Sequence, residues 1–119
     1  MTDIFNKLYE AQEIARIMHT LAVNKKQSEH EALEDFYTGM TKTLDEFIEI
    51  YQGQYDIVDG FGVFTKVDTS DPIAYFKAFA LIVAEFKAEN TISNSHFESL
   101  YDDILIMTYK LLYKLRFLN

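Results

Sequence analysis

"YDIVDGFGVFTKVDTSDP", residues 55–72, separates two segments of strong helical periodicity and decides how they are joined. It holds two of the chain's four glycines and its single proline, and its β-branched residues fall in a loose alternation. That chemistry predicts a connection, with a short extended or hairpin piece, rather than more helix. Asp71-Pro72 ends it as a helix start, the aspartate as N-cap and the proline in the first turn.

On its N-terminal side, apolar residues recur at Leu33, Tyr37, Met40, Leu44, Ile48 and Tyr51, a helical stripe over about 28–53. Ser28 and Glu31 read as a capping box at its start, and Gly53 as its stop. About 26 residues at 1.5 Å each make a helix of roughly 40 Å. The connection, if extended, reaches roughly 50 Å, enough to run back along that helix and start the next one parallel to it. Two hairpins joined by one long crossover are the ferritin-like arrangement. A plain up-down bundle follows instead if the connection folds over itself.

Beyond these, Ile4, Leu8, Ala11, Ala15, Met18 and Ala22 wind one stripe along a helix over about 3–23, joined to the next by a short polar turn. After the connection, Ile73, Phe76, Phe79, Val83 and Phe86 place a helix at about 72–89. Ser95 and Glu98 form a second capping box, opening a helix at about 95–117. The chain therefore reads as one all-α domain over residues 1–119, a four-helix bundle. Its 119 residues, 49% hydrophobic, suffice for one core, and so few glycines and prolines leave no punctuation for many strands.

The formal net charge of −8 repels phosphate backbones, and lysine and arginine are scattered, so nucleic acid is excluded as a direct partner. With no cysteine, disulfides, thiolate metal sites and thiol nucleophiles drop out together. No apolar run approaches the roughly 18–20 residues of a membrane span, and the first residues have neither basic leader nor apolar signal core. The expectation is a cytoplasmic protein with no membrane partner.

At 100° per residue from His30, Glu34 lies near 40°, Asp45 near 60° and Glu49 near 100°, on one arc beside the apolar stripe. Imidazole and carboxylate together suit iron, zinc or manganese. Yet His30 and Asp45 are fifteen residues apart, about 22 Å along the axis, so one chain cannot bring both to one ion. Two chains can. Packed antiparallel across a two-fold axis near residues 39 and 40, His30 and Glu34 of one chain meet Asp45 and Glu49 of the other. Thr38 and Thr41, on the same arc, are small enough to let the helices approach.

His19, His30, Glu34, Asp45 and Glu49 follow the order and nearly the spacing of the ferroxidase ligands of the Dps family. These are ferritin-like mini-ferritins with di-iron sites across a two-fold dimer interface. The phrase "SEHEALEDFY…LDEFIEIYQG" resembles small phage-encoded proteins of that type more closely still. The resemblance implies an iron-oxidising site built from His19, His30 and Glu34 of one subunit with Asp45 and Glu49 of the other. For a phage protein it also implies the host cytoplasm. The chain departs from the family in having Thr20 after His19 where tryptophan is usual, and Glu34 where aspartate is usual. It also lacks a helix in the connection and a lysine-rich tail. The competing function is a non-catalytic helical dimer, a viral accessory factor that binds a host protein and keeps a vestigial metal site. His96, alone at the start of the last helix, reads as structural or solvated.

Overall fold

The Asp71 carboxylate accepts a hydrogen bond from the Ala74 N–H at 3.0 Å, so the helix start read at Asp71-Pro72 is the one that forms. The structure, a computed structural model, describes residues 2–22, 26–62, 66–90 and 95–118. Its four helices are α1 (Thr2–Leu21), α2 (Gln27–Gln54), α3 (Pro72–Asn90) and α4 (Ser95–Phe117). The long dimension of the molecule, 44 Å, is set by α2, whose 28 residues span about 42 Å.

Cross-helix pairs fix the directions. Phe5 packs edge-on against Phe47 and Tyr51, while His19 stacks on His30, so α1 runs antiparallel to α2. Phe97 meets Phe47 and Tyr51, and Lys114 reaches Asp35, so α4 is also antiparallel to α2. The 2.6 Å ion pair between Lys87 and Asp102 makes α3 antiparallel to α4, and hence parallel to α2. Around the bundle the order is α1, α2, α4, α3, with α2 and α3 across the diagonal, where Phe36 meets Phe76 and Phe79 through the core. This is a bundle of two hairpins joined by one long crossover.

The crossover runs back along α1. Phe61 packs edge-on against Tyr9 with centroids 5.5 Å apart, and Val58 and Val67 rest on the core. Gly60, at φ +76°, takes a left-handed bend that other residues rarely adopt. The expected extended or hairpin piece does not form among the described residues, where the segment is irregular; residues 63–65 of that expectation lie outside them. Where the crossover hands over to α3, Tyr75 donates to the Glu10 carboxylate at 2.7 Å and Lys7 pairs with it at 2.7 Å. Burial by itself would raise the Glu10 carboxyl, but these two partners outweigh it and hold it below its ordinary value.

Two local expectations are corrected. Ser28 is not an N-cap: α2 starts one residue earlier with no side-chain cap, and the Ser28 hydroxyl donates instead to the Leu118 carbonyl beyond the end of α4. Gly53 does not stop α2, which continues to Gln54 and closes with the Tyr55 N–H on the Tyr51 carbonyl. The stripe expected on α1 is buried throughout, and Leu33, Met40 and Leu44 of α2 are core, joined by Phe36 and Phe47. The residues just before α4 lie outside the described ones. No helix among the described residues is long and apolar enough to cross a membrane.

Candidate metal centre

His19 lies in the last turn of α1 and His30 in the first turns of α2, so the short connection between the helices brings them face to face. Their rings stack with centroids 3.8 Å apart and planes 27° from parallel. His19 Nδ1 lies 2.9 Å from the His30 carbonyl oxygen, and His30 Nδ1 lies 3.2 Å from the His19 carbonyl oxygen. A carbonyl oxygen only accepts, so each Nδ1 carries the proton and donates. The His19 carbonyl belongs to the last turn of α1, where helical geometry leaves acceptors without intrahelical donors. The His30 ring therefore caps α1.

This clasp has a chemical consequence. With both Nδ1 atoms committed as donors, the lone pair of each neutral ring is on Nε2, free to accept a proton, a hydrogen bond or a metal. Glu34, one turn beyond His30, completes the cluster: one ligand atom from each of His19, His30 and Glu34 lies within 4.8 Å of the others. Donors on a single ion at about 2.0–2.2 Å are at most about 4.4 Å apart, so the cluster is within a few tenths of an ångström of the spacing that one ion needs.

Of the five residues singled out from the sequence, the fold brings together His19, His30 and Glu34. Asp45 and Glu49 stand apart, exposed farther along the same uninterrupted helix. The two histidines are partly buried; all three carboxylates are on the solvent side of α2 rather than at the edge of its core face. Thr38 and Thr41 return their hydroxyls to their own helix, on the Glu34 and Tyr37 carbonyls, which leaves a low, exposed surface between the two groups. Tyr37 sets its ring edge-on to His19 at 5.4 Å and packs on the core, walling the inner side of the cluster. Its place seven residues after His30, two helical turns, is the sequence signal for that contact. His96 is separate from the site and bonds Gln54 at 2.6 Å.

Comparison with protein families matches residues 23–115 to one described as "Family of unknown function (DUF5856)". No curated protein and no solved structure matches the chain. The matched span contains the whole of α2, with His30, Glu34, Asp45 and Glu49, and leaves His19 outside. With well over half of its length matched, the chain belongs to this family of unknown function.

Proposed function

We propose that the protein is a metal-handling helical bundle. It holds divalent metal on His19, His30 and Glu34, with Asp45 and Glu49 of the partner subunit completing each site across a two-fold axis. The observation that carries this reading is the reciprocal pair of Nδ1–H bonds to backbone carbonyls. It orients both imidazoles and frees both Nε2 lone pairs beside a carboxylate, which is how histidine ligands are commonly held.

The separation along α2 supports completion by a second copy. About 22 Å of continuous helix keeps Asp45 from its own chain's His30, and an antiparallel α2 pair centred near residues 39 and 40 cancels that offset. Iron is the proposed cargo. Carboxylate oxygens are hard donors that favour Fe(III) over Fe(II), so loss of one electron to oxygen or peroxide is favoured, a ferroxidase activity serving iron storage or detoxification. Zinc and manganese fit the same donors. A second reading rests on the same bonds: His19 and His30 lock α1 to α2 without metal, and the dimer serves as a protein-binding accessory factor.

Elemental analysis of the purified protein, followed by calorimetric titration with Zn(II) and Mn(II), separates the two. Saturable binding that His19→Ala or His30→Ala removes supports the metal centre. No binding of any divalent ion by the folded protein leaves only the lock. Oxygen uptake after anaerobic loading with Fe(II) then tests the oxidation step.

A further inference from the structure

Helix α4 carries two apolar faces, and the bundle uses one. Leu100, Ile104 and Leu111 are buried in the core, whereas Ile106, Tyr109, Tyr113 and Phe117 are each more than half exposed. These four, at spacings of three, four and four, line one side of the helix over about 17 Å, the length of three turns. Ile106, Tyr109 and Tyr113, with Lys110 and Lys114, line a shallow depression of about 640 Å³. Lys110 and Lys114 also border a groove of about 330 Å³ between α2 and α4. There Gly39 allows close approach: a Cβ at that position would lie 2.7 Å from the Met107 sulfur. An apolar stripe this long on a face that no element among the described residues covers marks an interaction surface.

Its charge says what fits. Three of the chain's 11 lysines and arginines, Lys110, Lys114 and Arg116, fall within seven residues beside the stripe, on a protein of net charge −8. Basic residues at a helix C-terminus complement the helix dipole, but that does not call for exposed aromatic residues between them. Lys114 reaches Asp35 at 3.3 Å and Arg116 lies over the Phe117 ring, while Lys110 has no ion pair among the described residues.

A second copy is a poor occupant. Antiparallel pairing that covers all four apolar residues centres near residue 111 and sets the Lys110 and Lys114 edges of the two copies against each other. Sliding the register to oppose them with Asp102 and Asp103 withdraws Phe117 from the contact. An anionic membrane surface is disfavoured by the net charge. We propose that this face of α4 docks an amphipathic helix of a partner protein whose apolar stripe is flanked by aspartate and glutamate.

The test uses the full chain, labelled with nitrogen-15, and three 18-residue helical peptides. One has a leucine stripe with glutamate flanks, one the same stripe with lysine flanks, and one glutamate flanks with serine in place of leucine. The expected result is saturable binding of the first peptide alone, with chemical-shift changes centred on residues 106–117. Tyr113→Glu should weaken it by at least about tenfold, and Lys110→Glu should reverse the preference between glutamate and lysine flanks. Circular dichroism checks that both exposed variants stay folded. Equal binding of both leucine peptides, no binding, or shifts confined to other helices would overturn the proposal. So would a concentration-dependent dimer, or co-sedimentation with phosphatidylglycerol vesicles, that Tyr113→Glu abolishes.

Discussion

Replacing His30 with alanine acts twice, and the two effects separate by measuring with and without metal. In a chelator, His30→Ala loses the Nδ1–H bond to the His19 carbonyl, worth about 1 kcal/mol, and the 3.8 Å ring stack, worth about 0.5–1.5 kcal/mol. Alanine's better helix propensity returns about 0.5 kcal/mol. The net loss is about 1–2 kcal/mol, a fall in Tm of about 4–8 °C for a domain of this size. Metal adds a second difference: at a free concentration one hundred times Kd the wild-type protein gains about 2.7 kcal/mol, and the variant gains nothing. Thermal unfolding followed by circular dichroism, in EDTA and then in Zn(II), measures both. An apo variant as stable as the wild type would show that the clasp is not formed in solution. A variant whose Tm still rises with Zn(II) as the wild type's does would refute the role of His30 as a ligand.

Assembly should depend on metal. The outward side of α2 exposes Glu31, Glu34, Asp35, Asp45, Glu46 and Glu49 against Lys42 alone, so two copies meeting there repel unless cations lie between them; sedimentation should show a dimer with Zn(II) and monomer in chelator. Protons compete with metal for both Nε2 lone pairs, so the dimer should also dissociate on mild acidification. Tyr101→Phe should be neutral or stabilise by up to about 1 kcal/mol in urea unfolding, since the Tyr101 hydroxyl is buried with no partner among the described residues. Burial pushes the same phenol up to about 12, so the fold holds its proton more tightly than the unfolded chain. This titration therefore leaves folding stability unchanged below about pH 10, the ordinary tyrosine value, and lowers it as pH rises toward 12. Glu10 works in the opposite sense. Its lowered value gives stability that is present above pH 4.5 and lost as pH falls through the folded-state value, and Glu10→Gln should flatten the acid limb of the stability profile.

What the sequence revealed depended on the range of the interaction concerned. Asp71-Pro72 was legible because a cap is satisfied within three residues, and the crossover because its length and glycines are local facts. Ser28 misled because its hydroxyl found an acceptor ninety residues away, at Leu118, which no local pattern encodes. The buried sector of α2 is wider than a single stripe because α2 is packed by both α1 and α4, drawing in Ala32, Phe36 and Phe47. For the site, spacing along α2 correctly separated His30 and Glu34 from Asp45 and Glu49. His19 enters the site through the family resemblance alone, and the structure sets it against His30 because the connection between their helices is short. Nothing in the spacing announced the stacked rings or their paired carbonyl bonds, which depend on how closely α1 lies against α2. The exposed stripe of α4 was hidden by that helix's own core stripe, since both are apolar and only packing tells them apart.

Complementation between two defective chains tests the shared site most directly. His30→Ala and Asp45→Ala chains, each alone, are expected to bind little Zn(II) and to stay monomeric, because every site that either could form lacks a ligand. Mixing the two chains places both lesions in one site of the heterodimer and leaves the other whole, so Zn(II) binding should return to half the wild-type amount per dimer. Asp45→Ala alone binding as much Zn(II) as the wild type, or a mixture of the two chains that binds none, would contradict a centre built across the two-fold axis.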